Sequence, residues 1–402
     1  MTTLFFGLFS FFLFAFAVHL CSMALVVGRD VIRRRAEART VPVPPLTILR
    51  PVRGLENHLE TTLESAFLLD HSDYEILFCV DDGNDPVVPL CKRLMARHPD
   101  KDARLLVGKD PISLNPKLNN MVKGWAEARY DFVVMADSNV LMTPDYLQTL
   151  FAAWDETTGL VCSPPTGGYP DGLLADVECA FLNSFQGRWQ LCADAFGLGF
   201  AQGKTMLWKK ADLDAAGGIA ALGSEVAEDA ASTKVVREAG KRVRLVRRPF
   251  VQPLGQRTLG EVWLRQLRWA RLRRASFPLF FAPEVIAGGF FPLCALAALA
   301  ILGYVPAGAP VLAAVLWYGA EAALARFMGW PVSLRMFLAF LVRDMMLPVL
   351  WLAAIFGSDF SWRGNAMHVR RGEEESFGPA AALRWLGGWR RRTVDIAQPD
   401  GE

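Results

Sequence analysis

YEILFCVDDGNDP, residues 74–86, and DFVVMADSNV, residues 131–140, decide the fold. Each is a short, apolar, β-prone run that stops at a cluster of Asp, Asn or Ser. A buried strand that ends on turn-forming carboxylates presents them at its carboxyl end. Outward from these two, Leu46–Leu49 and Arg104–Val107 read as further strands. Between them, Glu56–Leu69, Pro86–His98 and Lys117–Arg129 space their apolar residues as helices do. This alternation predicts an α/β unit with a mainly parallel, doubly wound sheet whose ligands sit beyond the carboxyl ends of the strands. Neither GxGxxG nor GxxxxGK(S/T) occurs, so a dinucleotide fold and a P-loop are both unsupported.

At 402 residues the chain exceeds what one core usually holds. Hydrophobic residues make up 52% and charged residues 21%, with a mean hydropathy of +0.23. That is too apolar for an ordinary soluble enzyme and too charged for a bare bundle of membrane helices. A formal charge of +2 excludes a global polycation, so nucleic acid is not an expected partner. The seven cysteines form no CxxC, and a reducing compartment fits them best.

The apolar residues are segregated. Residues 4–28 hold no acid, Lys or Arg over 25 positions, enough to cross a bilayer. Arg29, Arg33, Arg34, Arg35 and Arg39 follow, so the positive-inside rule puts what comes next in the cytosol. A second apolar block divides at prolines into about 285–305, 310–328 and 334–357. Prolines and Gly288-Gly289 weaken 278–305 as a straight span, and a re-entrant or interfacial path is expected there. Glu321, Arg343 and Asp344 lie within this block. Charges in hydrocarbon are costly unless paired, so they should face one another or a polar cleft. The expected layout is an anchor over 1–30, a catalytic unit over 31–258, an interface helix over 259–282, membrane segments over 283–358 and a basic tail over 359–402. Only ten of the 43 basic residues are Lys, which suggests a GC-rich bacterial gene and an inner-membrane protein whose catalytic unit is cytoplasmic.

Four clusters carry chemistry. Asp137-Ser138-Asn139 offers hard oxygen donors suited to a divalent cation that also holds phosphates, although the same residues are common turn formers. Asp82, Gly83 and Asp85 share that double account. Glu228-Asp229 opens a helix, where acids are favoured by the dipole, but a carboxylate there could also deprotonate an alcohol. Arg265, Arg268 and Arg271 recur every third residue beside Trp263, Leu267 and Trp269, as on a basic amphipathic helix lying at a membrane surface.

In this order the clusters resemble the D, D, D, (Q/R)xxRW set of inverting membrane glycosyltransferases. With LRPVRG, NPKLNNMVKGWAEARYD, AEDA, RQLRWARLR and the late SWRG, the chain is most similar to glycosyltransferase family 21, the ceramide glucosyltransferases. The likeness covers about residues 45–275. It implies a GT-A fold, UDP-glucose as donor, ceramide or a similar lipid as acceptor, and Mg²⁺ or Mn²⁺. It implies Asp82 and Asp85 on the uridine side, Lys117 in substrate binding, Asp137 at the metal and diphosphate, and Asp229 as base. Arg265, Arg268 and Trp269 go to the diphosphate and the acceptor mouth. Gln186 stands where animal members carry His, which bears on acceptor or sugar preference, and Asn139 replaces an expected Gly. Diacylglycerol or a hopanoid is the alternative acceptor. A processive polysaccharide synthase would need more membrane segments for its channel, and a transporter would not need four such motifs on a soluble unit.

Overall fold

Short apolar runs bounded by turn residues form the centre of this computed structural model, which describes residues 2–37, 42–357, 359–362 and 365–368. β1 (Leu46–Pro51), β2 (Tyr74–Val80), β3 (Asp102–Val107) and β4 (Phe132–Ala136) match the expected strands to within three residues at either end. The intervening helices are Leu59–Glu64, Val88–Arg97 and Pro116–Glu127. Every residue of β1 and β2 is buried, as a strand covered on both faces requires.

β5 (Thr158–Cys162), β6 (Thr166–Asp171), β7 (Thr205–Lys209), β8 (Arg242–Leu245) and β9 (Val251–Gln256) complete the unit. The seven-stranded sheet runs β3-β2-β1-β4-β7-β5-β8, and β6 pairs with β9 beside it. The expected parallel order holds from β3 to β4, but β7 is antiparallel to both β4 and β5. This reversal has a consequence for chemistry. In an antiparallel pair the start of one strand meets the end of the other, so Ala136 lies opposite Thr205 and Asp137 meets Lys204. The Asp137 N–H donates to the Lys204 carbonyl at 3.0 Å.

Among the described residues four helices are long and apolar enough to span a membrane: Thr3–Arg34, Pro278–Ile301, Ala309–Met328 and Leu334–Phe356. The second is broken, with a short turn at Pro278–Phe281, a 3₁₀ stretch at Ala282–Ile286, and a regular helix only over Phe290–Ile301. At 1.5 Å per residue that last piece reaches only ~18 Å. The intramembrane charges do meet. Arg343 holds Glu321 through two bonds of 2.7 and 2.9 Å, Asp344 at 2.7 Å and the Ser184 hydroxyl at 2.8 Å. The antiparallel strands Asp359–Trp362 and Asn365–His368 follow, and the remainder of the basic tail, with Arg363 and Gly364 of SWRG, lies outside the described residues.

The first helix does not stop at the membrane edge but runs to Glu37. Arg29, read from sequence as a topology signal, is buried and donates to the carbonyls of Leu245, Val246 and Arg247. It pairs with buried Asp194 at 2.6 Å, which Arg33 also meets at 2.7 Å. Beside it Asp30 binds Arg247 and Arg248. The first helix and the α/β unit are thus packed together. Arg29→Ala should cost about 3 kcal/mol, because it strips a buried carboxylate and three carbonyls of their main donor. A melting temperature equal to that of the wild-type protein would show instead that Arg33 carries the contact.

Candidate active site

A cavity of about 940 Å³ opens where the carboxyl edge of the sheet meets the interface helix Leu259–Ser276. Its walls come from the end of β1, Asp81 after β2, the start of the Pro116–Glu127 helix, Asp137–Asn139 after β4, and Gln202–Lys204 before β7. The helices Glu228–Glu238 and Arg188–Ala195 close the sides.

Local sequence explains how the charged end is held. Asn115 caps its helix, accepting from the Lys117 and Leu118 N–H groups at 2.9 and 3.2 Å, and Pro116 suits the first turn. The cap aims Lys117 inward, where its Nζ meets Asp137, Glu228 and the Gly203 carbonyl, each at 2.6 Å. The Asn115 amide donates back to Glu228 at 2.6 Å. Below the loop, buried Arg50 of the LRPVRG motif donates to the carbonyls of Asp137, Ser138 and Val140, bracing the turn from beneath. A Cβ at Gly203 would lie 2.7 Å from the Glu228 carboxylate, which would have to shift away from it.

Lys204 lies 2.9 Å from both Asp137 and the Asn139 side-chain oxygen. Burial disfavours the Asp137 charge, yet Lys117 and Lys204 outweigh it and hold this carboxyl well below the usual range. Asp229 is in the opposite state. Burial, and then the neighbouring Glu228 charge, push it up to about 6, against the pull of the Gly203 and Ala230 N–H groups on its oxygens. Two acids on one cavity are thus driven apart, Asp137 firmly ionised and Asp229 poised near neutrality. That division suits charge neutralisation at the first and proton uptake at the second.

The other expected residues divide. Lys117, Arg265, Arg268 and Trp269 all line the cavity with Asp137 and Asp229. Arg265 also bonds Glu178, which binds Arg257 as well, so part of its charge is used within the protein. Asp82 and Asp85 are not on the wall. Asp82 is exposed and accepts from the Asn84 N–H, while Asp85 accepts from Gly54 and Val87, each as a turn former does. Asp81 lines the cavity in their place, with one carboxylate oxygen buried and unpartnered among the described residues. The strand ends at Val80, and the turn that follows it puts Asp81 rather than Asp82 on the wall. Lys204 and Arg50 also escaped the sequence reading, because a lone Lys or Arg in an apolar stretch has no spacing signal.

A divalent cation is compatible with these donors. Asp137 and the Asn139 amide oxygen sit on one loop at the wall, both already holding a cationic ammonium. Among the described residues no cluster of three or more His, Cys, Asp or Glu forms a closed cage. Phosphate oxygens and water would therefore complete the coordination, as is usual for Mg²⁺.

The same cavity also has apolar lining, with Phe196, Phe200, Leu264, Leu272, Phe277 and Phe280. Ionic and apolar linings thus share one space.

Comparison with known proteins agrees. Ceramide glucosyltransferase 3 of Caenorhabditis elegans is 27% identical over 343 residues, 82% of this chain and 74% of that protein. The ceramide glucosyltransferase of Komagataella phaffii is 27% identical over 314 residues, 61% of this chain and 60% of its own. Both are eukaryotic, so they lend no support to a bacterial inner membrane. A mannosyltransferase from Pyrobaculum calidifontis, solved with GDP-Man and Mn²⁺, superposes with a TM-score of 0.49 at 18% identity, covering 87% of this chain and 97% of that one. The sheet, with its site beyond the strand ends, is the GT-A arrangement that the motifs implied. Since the pattern described as Glycosyl transferase family 21 matches residues 8–375, the chain belongs to that family.

Proposed function

We propose that this chain transfers glucose from UDP-glucose to the primary hydroxyl of ceramide, with inversion, giving a β-glucoside. The observation that carries the reading is one cavity lined both by charged groups at the strand tips and by apolar side chains of the interface helix and the turn after it. In it Asp229 takes the proton from the lipid hydroxyl, and the oxygen attacks the anomeric carbon opposite the leaving UDP. Lys117, Lys204 and Arg268 offset charge on the diphosphate, and Arg265 adds what Glu178 leaves available. Asp81 takes the uridine side in place of Asp82 and Asp85. Asp137 and Asn139 would hold Mg²⁺ or Mn²⁺, which supplies Lewis-acid neutralisation of the diphosphate when bound. The interface helix excludes water from this space, as charge separation requires.

Expression of the chain in a host lacking glycolipids, followed by mass spectrometry of its lipids, tests the reading. A new hexosylceramide supports it. Glycosylated diacylglycerol or hopanoid alone would replace ceramide, and no new glycolipid would overturn the assignment.

The Asp229 environment sets a pH dependence. A carboxyl raised to about 6 is a base above that pH and a neutral acid below it. Turnover should therefore fall as pH drops through about 6, and in Asp229→Asn this limb should vanish from the residual rate. A wild-type kcat flat down to pH 5 would remove Asp229 as base.

Orientation follows from the arginines after the first membrane segment, which favour the cytosol. Protease added to the cytosolic face of sealed vesicles should cut between residues 42 and 275. Full protection of that stretch would reverse the orientation. The break before Phe290 favours an interfacial rather than a crossing path for 278–301.

A further inference from the structure

One helix contributes polar groups to the middle of the cavity that neither the base nor the diphosphate site uses. Phe181–Gly187 is π-helical and continues into the α-helix Arg188–Ala195. Wide turns of this kind often mark functional sites. Gln186, Trp189 and Gln190 follow one another at the three- and four-residue spacing of one helix face, and all three line the cavity. Gln186 and Gln190 are each 8% exposed.

Among the described residues, Gln186 Oε1, Gln190 Oε1 and the Trp189 indole nitrogen have no hydrogen-bond partner. Behind them Gln266 of the interface helix is 2% exposed, and its Oε1 accepts from Gln186 Nε2 at 2.7 Å. That leaves the Gln266 amide nitrogen unpartnered too. Rotating both amides by half a turn exchanges the free atoms but still leaves one acceptor and one donor. Buried polar groups are nearly always paired, so a cluster of buried, unpartnered ones on residues that line a cavity marks what a ligand drawn against them must offer.

The demand is specific. As placed, the two glutamine oxygens need N–H or O–H donors and the indole N–H needs an acceptor; with both amides turned, Gln190 still presents its oxygen while Gln186 presents a donor. Phe185 and Phe196 flank this face within the same cavity, so the group that meets it is carried on hydrocarbon. We propose that Gln186, Trp189 and Gln190 form a subsite that reads a secondary amide next to the reacting hydroxyl of the lipid acceptor. The amide N–H goes to a glutamine oxygen and its carbonyl accepts from the indole. An ester-linked glycerolipid has acceptors only, once its single hydroxyl enters the reaction, and would leave the glutamine oxygens unpaired. Sites built to bond a polar group reject analogues lacking it far more strongly than apolar pockets reject a missing methylene.

This inference rests on the lipid-acceptor reading, and the test separates the two. The full chain in detergent micelles is given UDP-glucose with either an N-octanoyl sphingosine or a dioctanoylglycerol. Gln186→Met and Gln190→Met keep side-chain length and remove the amide. For each, kcat/KM on the amide lipid should fall at least tenfold, while the rate on the glycerolipid stays within twofold and UDP binding is unchanged. Gln190→Met stands alone if Gln186→Met, which also breaks the bond to Gln266, fails to fold. Equal losses on both lipids, or an undiminished rate on the amide lipid, would overturn the subsite and leave the transferase intact. Wild-type protein that glycosylates neither lipid would overturn the acceptor reading and the subsite with it.

Discussion

Asp229→Asn is expected to lower kcat by at least two orders of magnitude while the protein stays folded. General bases contribute about 10²–10⁴-fold, and the substitution removes the basic charge with little change of shape. Its effect on stability should be small or favourable. The Asp229 carboxyl titrates at about 6 in the fold, above its ordinary value, because burial and Glu228 disfavour its charge. At neutral pH that ionised form opposes folding, and an amide relieves it, although one of the two backbone N–H groups on Asp229 loses its acceptor. Glu228→Gln should show the converse. Glu228 is buried in a pair with Lys117 and a bond with Asn115, so its neutralisation lowers the melting temperature first. Turnover per folded molecule should fall less than in Asp229→Asn. Rate, UDP affinity and melting temperature measured on both variants decide the matter. If Asp229→Asn keeps most of its turnover, or loses it only in step with folded protein, the base lies elsewhere.

The second large effect belongs to Asp137. Asp137→Asn should abolish measurable transfer, with a loss of at least 10²–10³-fold as for other preorganised electrostatic groups. Two ammonium groups lean on this carboxylate, Lys117 at 2.6 Å and Lys204 at 2.9 Å. The amide leaves both under-compensated, so the cavity becomes more positive. UDP alone should then bind no more weakly than before, whereas any Mn²⁺-dependent gain in UDP affinity should disappear. Calorimetric titration of UDP with and without Mn²⁺ reads this directly. Normal turnover of the variant in saturating Mg²⁺ would remove Asp137 from the site.

Much of this protein was legible in its order of residues. The strands β1 to β4, the intervening helices and the membrane segments are local features, set by apolar runs and their periodicity, which a sequence displays directly. The Asp137, Asp229 and RQLRW clusters could be read because their spacing along the chain makes a pattern. That the intramembrane charges would face one another or a polar cleft could be expected because a lone charge is costly in hydrocarbon, and the fold chose the first.

What the order of residues could not show is what a strand reversal and a helix crossing bring together. Nothing local marks β7 as antiparallel, yet that reversal places Lys204 against Asp137, from 67 residues away. Asp81 and Asp82 both follow the last residue of β2, and only the folded turn decides which of them lines the cavity. Arg29 reads as a topology charge until the docked catalytic unit surrounds it with carbonyls. Gln186 and Gln266 are 80 residues apart and neutral, so nothing in the order of residues shows that they bond to each other behind the cavity wall. Sequence determined which segments are strands, helices and membrane spans, because those follow from short-range periodicity and solvent preference. Tertiary structure alone decided which charges share the cavity and how each titrates, because both depend on burial and on neighbours distant in the chain.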